Sequence, residues 1–426
     1  MRIIYIAAGA GGMYCGACAR DVTLITRLIS RGHDVQVVPL YTPLRLDAGT
    51  KLPTTPIFYG GINVFLQQLF PVFRRVPGFL VRWLDSPSVL RWASKSTVKT
   101  RPQDLGAMTV SVLSGHDGHQ RKELARLMRY LEGEAKPDLI NITNSLLSGI
   151  APEIKKRLGV PIVCTLQGEE SFVDGIPEPH RSRALDLIRR HTSAIDLYLA
   201  PGESYAARMA EFLAVPAEKI RVARPGIDVN AFKPAPEHPK KPFTVGYLSV
   251  ISPVKGLDIL VEALSILVND QGRDIRLRVA GRIMNEEYWA SITRTISDKG
   301  LTDRFEHIGE PDFDGKVEFL RACSVFSVPS RIGESRGMAV MEAMACGVPV
   351  VVPDMGVFPE LLSLTNGGLT FKSGDAASLA AAIAQVVDDP ASADAMGRSA
   401  AEGIARHYSA EQMAERVLEE YGRLLA

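Results

Sequence analysis

Residues 325–359 read VFSVPSRIGESRGMAVMEAMACGVPVVVPDMGVFP. The apolar run 325–328, ended by Pro329, has the pattern of a short buried strand. A polar, glycine-bearing loop follows. Residues 338–346 are rich in Ala, Met and Glu and predict a helix, which Gly347 stops, as a glycine just past a helix end commonly does. Residues 348–352 predict a second buried strand, ended by Pro353. Strand, loop, helix and strand in that order form the βαβ unit of a parallel sheet.

Two acids mark the unit: Glu334 in the loop and Glu342 inside the helix. A helix start presents unpaired backbone N–H groups and a partial positive charge, which suits a phosphate. A carboxylate beside such a site accepts hydrogen bonds from hydroxyls. Two of them suit a ligand with a sugar at each end of a diphosphate. On spacing alone, a solvated loop acid and a surface helix acid are the commoner explanation.

With EAMACGVPVVVPDMGVFPELL at 342–362, the segment resembles the E-x7-E signature of retaining, nucleotide-sugar-dependent GT-B glycosyltransferases. That group is similar to glycosyltransferase family 4 and includes glycogen and sucrose synthases and bacterial mannosyl- and glucosyltransferases. The resemblance implies an α/β protein of two doubly wound, Rossmann-like domains facing each other across a cleft. It implies that Glu334 holds donor-sugar hydroxyls and tolerates positive charge at the anomeric carbon. Glu342 would take the ribose hydroxyls, and the backbone at Gly337, Met338 and Ala339 would meet the diphosphate. The base would be held by backbone atoms near Ile308.

Composition agrees with two domains: the chain has 426 residues, 46% of them apolar. A net charge of +1 gives no bulk attraction for nucleic acid. Cysteines at 15, 18, 164, 323 and 346 form no disulfide framework, and a reducing cytoplasm is expected. The opening MRIIYIAAG reads as a strand rather than a leader peptide, and no run of about 18 apolar residues predicts a membrane span.

From the N-terminus, residues 2–8 predict a strand, 21–31 a helix and 34–39 a second strand, so the chain opens as a doubly wound α/β domain does. The intervening GAGGMYCGAC fails the dinucleotide fingerprint, because the third glycine would fall at Tyr14. In the family a loop here approaches the donor, and Gly12 is the best positional match. Cys15 and Cys18 read as part of a structural or acceptor-shaping loop, with a redox-sensitive pair or a metal as the alternatives. Basic and aromatic residues mingle over 65–101. An ordinary helical insertion with a solvated basic face accounts for them; the alternatives are contact with a membrane surface or lipid acceptor, which would make the protein peripheral at the inner face, and contact with an anionic soluble acceptor. Helices are predicted over 114–130 and 144–157.

The strand at 161–166 runs into Gln167, where the family commonly has a histidine facing the donor sugar. Glutamine can hydrogen-bond a sugar but cannot share a proton. RPGIDVNAFKP at 224–234 resembles the close of the family's first domain. A proline- and lysine-rich linker follows. The domains are therefore 1–235, joined by a C-terminal helix at about 405–426, and 243–404. Asp375, Ser378 and Ser409 are predicted helix caps.

In ISPVKG at 251–256, Lys255 matches the lysine that, with an arginine, clamps the donor phosphates in the family. The arginine position is Val250. Arg331, Arg336 and Arg282 are the candidates to replace it. The function implied is metal-independent transfer of a hexose from a nucleotide-diphosphate sugar to an acceptor hydroxyl, with retention and with no cofactor. The alternative is a non-catalytic sugar-nucleotide binding protein of the same fold.

Overall fold

A computed structural model describes residues 1–8, 16–41, 102–234 and 242–426, with single positions between 52 and 76. The chain divides into two compact units, Met1–Arg224 with Met413–Ala426, and Pro225–Gln412.

The first unit is built on six parallel strands: β1 (Arg2–Ala7), β2 (Asp34–Pro39), β3 (Leu139–Ile142), β4 (Ile162–Thr165), β5 (Leu197–Ala200) and β6 (Ile220–Val222), in the order β2-β1-β3-β4-β5-β6. Alternate residues of β1 enter different cores, as a side-chain period of two requires. Ile3 and Tyr5 pack with Leu24 and Leu28 of α1 (Gly16–Ser30) and with Met413, Val417 and Tyr421 near the C-terminus. Ile4 and Ile6 pack on the opposite face. With both faces covered, the strands read as unbroken apolar runs.

Two helix predictions need correction here. Residues 114–130 do not form one helix. Helix α2 (Pro102–Leu113) has already ended before them, a 3₁₀ turn at Gly115–Asp117 follows with Gly115 at φ +56°, a left-handed residue that cannot continue a helix, and α3 covers only Arg121–Tyr130. Over 144–157, a 3₁₀ turn at Ser145–Ile150 precedes α4 (Ala151–Leu158), which begins where Pro152 can occupy the first turn. Helix α1 also starts earlier than predicted, because Cys18, Arg20 and Asp21 are drawn into the core beside β1. Among the described residues, the remaining α-helices of this unit are α5 (Glu170–Asp174), α6 (His180–His191) and α7 (Glu203–Leu213).

The second unit carries β7 (Phe243–Leu248), β8 (Ile275–Ala280), β9 (Phe305–His307), β10 (Val325–Phe326), β11 (Val350–Pro353) and β12 (Gly368–Phe371), all parallel, in the order β12-β11-β10-β7-β8-β9. Its helices are α8 (Leu257–Ser265), α9 (Glu286–Asp298), α10 (Phe313–Arg321), α11 (Met338–Ala345), α12 (Phe358–Thr365), α13 (Ala376–Asp388) and α14 (Pro390–His407), and α15 (Ala410–Leu425) follows. Asp375 caps α13 by accepting from the Ser378 N–H at 3.0 Å, and the Ser409 hydroxyl accepts from Gln412 N at 3.3 Å at the start of α15. Strand order reverses between β7 and β10. Open parallel sheets bind ligands at the carboxyl ends of their strands at such a reversal.

Candidate functional site

The loops leaving β7 and β10 meet at that reversal. After β7 the chain makes a 3₁₀ turn, Pro253–Lys255, and then Gly256 at φ +69°. A Cβ on Gly256 would lie 1.9 Å from the Pro329 carbonyl oxygen, so only glycine lets the two loops touch. Arg331 N–H donates to the Val254 carbonyl at 2.9 Å. The contact brings together two side chains 79 residues apart, and the Lys255 ammonium donates to Glu334 Oε1. Both side chains are 21% exposed, so the pair faces solvent in part.

Glu334 is held from behind by the turn before α12. Val357 N–H donates to its carbonyl at 2.8 Å. Gly356 sits at φ +63°, where a Cβ would fall 2.5 Å from Glu334 N and 2.6 Å from its carbonyl oxygen. Gly337, at φ +65°, is the residue before α11, and Met338 and Ala339 form its first turn. The first N–H groups of a helix have no partner within it, so this end is polarised toward an anion.

Glu342 is not a surface helix acid. It is 5% exposed as a side chain and accepts a 2.8 Å hydrogen bond from Lys316 of α10. Ile308 follows β9, and its N–H is used by the Val279 carbonyl at 3.0 Å.

Of the arginines considered for the phosphates, Arg331 is bound to Asp258 at the start of α8. Its two terminal nitrogens reach the two carboxylate oxygens at 2.7 and 2.5 Å, and one also reaches the Pro253 carbonyl at 2.8 Å. Tyr288 adds a 2.5 Å hydrogen bond to Asp258. Burial resists ionisation of Asp258, but the Arg331 and Tyr288 hydrogen bonds outweigh it and hold the carboxyl below its ordinary value. Arg336 lies half-buried in the loop before α11, and Arg282 is exposed just past β8.

In the first unit, Gln167 follows β4. Its amide donates to the Thr143 carbonyl at 2.8 Å and to both Asp21 oxygens at 3.2 and 3.3 Å. Asp21 also takes hydrogen bonds from Tyr5 at 2.7 Å and from Arg20 at 3.1 Å. Burial pushes the Asp21 carboxyl up despite these partners. Tyr421 of α15 and Thr165 each donate to Asn141 Oδ1 at 3.1 Å. Gly12, Cys15 and most of 65–101 lie outside the described residues. Cys18 is buried, and Cys164, Cys323 and Cys346 are free and buried. Among the described residues, no group of three or more His, Cys, Asp or Glu side chains is placed to hold a metal ion, and no helix is long and apolar enough to cross a membrane.

Lys316, Asp258 and Gly356 were missed by the sequence reading. Asp258 carries the only local signal of the three, as an acid in the first turn of a helix. Lys316 and Gly356 matter through residues distant in sequence, and nothing in their neighbourhoods marks them.

Residues 228–403 match the family model for glycosyl transferases group 1, and residues 109–231 match that for glycosyltransferase family 4. The chain is similar to the D-inositol 3-phosphate glycosyltransferase of Pseudarthrobacter chlorophenolicus, at 26% identity over 80% of this chain and 85% of the relative. It is similar to the phosphatidyl-myo-inositol mannosyltransferase of Mycobacterium leprae, at 28% identity over 46% of this chain and 51% of the relative. Two solved structures share its fold. Sucrose-phosphate synthase from Thermosynechococcus elongatus superposes with a TM-score of 0.73 at 18% identity, covering 100% of this chain and 99% of that one. Anabaena HepE in complex with UDP-glucose superposes with a TM-score of 0.67 at 18% identity, covering 99% of each chain.

Proposed function

We propose that this chain, which belongs to the GT-B glycosyltransferases of the family 4 type, moves a hexose from a nucleoside-diphosphate sugar to an acceptor hydroxyl, with retention and without a metal ion. The observation that carries the reading is the meeting of Lys255 and Glu334 where strand order reverses, beside the first turn of α11. Lys255 and the backbone at Gly337, Met338 and Ala339 stabilise negative charge building on the departing diphosphate. Glu334 binds donor-sugar hydroxyls and offsets positive charge at the anomeric carbon of an oxocarbenium-like state. Glu342 is the acid nearest the ribose. Lys255 is shared with Glu334 before the donor arrives, and donor binding exchanges that contact for the phosphate.

A panel of UDP-, GDP- and ADP-sugars tests the reading by thermal shift and hydrolysis. Because relatives are named for inositol phosphate and phosphatidylinositol acceptors, D-inositol 3-phosphate and phosphatidylinositol belong in the acceptor panel. The anomeric configuration of the product, read by NMR, tests retention, and unchanged rates in EDTA test metal independence. Glu342→Ala weakens donor binding, whereas Glu334→Ala lowers turnover more than nucleotide affinity. Absence of any nucleotide-sugar binding sinks the reading. Binding without transfer or hydrolysis favours a non-catalytic sugar-nucleotide binding protein, a reading supported by the commitment of Gln167 to Asp21 and Thr143.

A further inference from the structure

We infer that Arg282 is the second cation for the donor diphosphate, supplied from the exit of β8 in place of an arginine at Val250 in the exit of β7. The inference rests on the donor reading above.

A departing nucleoside diphosphate concentrates negative charge, and fixed cations beside it lower the barrier. At the carboxyl edge of the second sheet, Lys255 is shared with Glu334, and Arg331 has both terminal nitrogens on Asp258. Arg282 is exposed, and among the described residues its side chain has no ion-pair or hydrogen-bond partner. It therefore needs no contact broken before it can take a phosphate.

The register gives its position. Leu248 pairs with Ala280 in the β7–β8 ladder, and Ile251 bridges Ile283 beyond the strand ends with the same offset. Val250 thus stands opposite Arg282. Paired positions on neighbouring strands share a face, about 5 Å apart. The burial pattern agrees: Val250 and Arg282 are exposed, whereas Ile251 is fully buried and Ile283 half-buried. A long arginine side chain spans one strand spacing, so a guanidinium rooted at 282 covers the space that one rooted at 250 would cover.

The backbone carrying Arg282 is fixed on both sides. Its carbonyl accepts from Ile251 N at 2.8 Å, Met284 N donates to the Ile251 carbonyl at 3.0 Å, and Gly281 N donates to the Gly309 carbonyl at 2.7 Å. His307 Nε2 lies 3.0 Å from the Gly281 carbonyl oxygen. A rigid base under an unengaged cation limits the ordering cost of binding to the side chain alone.

The test uses whichever of UDP, GDP and ADP raises the melting temperature of the full chain. By calorimetric titration, Arg282→Ala lowers affinity for that diphosphate about tenfold, roughly 1.4 kcal/mol, and leaves affinity for the matching nucleoside unchanged. Val250→Arg introduced into the Arg282→Ala background restores diphosphate affinity from the adjacent strand. Unchanged diphosphate affinity in Arg282→Ala overturns the inference, as does an equal loss for diphosphate and nucleoside. Failure of Val250→Arg to restore binding overturns the equivalence of the two positions. If the parent protein binds no diphosphate, the donor reading falls and this inference with it. If the parent binds and Arg282→Ala is silent, only this inference falls.

Discussion

Lys316 of α10 and Glu342 of α11 form a 2.8 Å ion pair whose side chains are 7% and 5% exposed. The Phe232 and Phe313 rings lie 5.0 and 5.2 Å from the same ammonium and surround it with aromatic faces. The acid that the E-x7-E resemblance assigns to the ribose is therefore oriented by a lysine from a different helix. Burying two charges gains little net stability, but stripping one partner leaves the other uncompensated.

Lys316→Met accordingly destabilises the second unit by about 3–5 kcal/mol. The double variant Lys316→Met with Glu342→Met loses clearly less, because no lone charge remains. Urea unfolding of the parent, both single variants and the double variant measures the coupling. Additive losses would show that the two charges do not depend on each other.

Gly356→Ala forces a Cβ against the Glu334 backbone from a left-handed conformation. The expected cost is about 1–3 kcal/mol, seen as a lower melting temperature. Because the clash falls on Glu334, turnover drops while nucleoside diphosphate affinity holds. A variant with full turnover would show that this turn does not fix the carboxylate.

Stability of the first unit carries a histidine signature. His191 Nδ1 lies 3.0 Å from the Ser148 hydroxyl, and burial, with the nearby Arg190 charge, pushes its imidazole down to about 4. The folded state keeps the ring neutral while the unfolded chain takes a proton near the usual value of about 6.5. Between those values the unfolded state binds more protons, so stability rises with pH. His191→Gln keeps a group able to bond Ser148 and flattens that slope. The difference between variant and parent reaches about 2 kcal/mol at the acid end, allowing for the partial exposure of the ring. Parallel slopes for the two proteins would contradict the assignment.

Burial pushes the Cys323 and Cys346 thiols up to about 12 and raises Cys164 as well. Because the thiolate is the reactive form, these three stay unmodified by a disulfide reagent at about pH 8 in the folded protein and react on unfolding. Mass spectrometry of the labelled peptides reads this directly, and rapid labelling of Cys323 in the native state would count against the packing described.

Much of the second unit was legible because its signals are local. Strand, glycine-bearing loop, helix, Gly347 and strand follow one another within 325–359, and the structure keeps them in that order as β10, α11 and β11. Asp375 and Ser409 act as caps because a cap is a contact over three residues. The helix expected over 114–130 failed because composition alone did not register Gly115 as left-handed. The surface-acid explanation of Glu342 failed because a helix acid looks the same in sequence whether solvent or a buried lysine faces it.

By itself the sequence pointed to two parallel α/β sheets, and its family resemblance implied that Lys255, Glu334 and the start of the 338–345 helix belong to one site. Unbroken apolar runs, helix propensity and glycine stops act over a few residues and need no partner from elsewhere. Only the tertiary structure decided what each charge faces. Lys255 meets Glu334, Arg331 meets Asp258, Lys316 meets Glu342, and Arg282 stands opposite Val250. These pairings join residues 26 to 79 positions apart. They are set by strand order and ladder register, which bring distant loops to one edge of the sheet and which no local pattern of residues encodes.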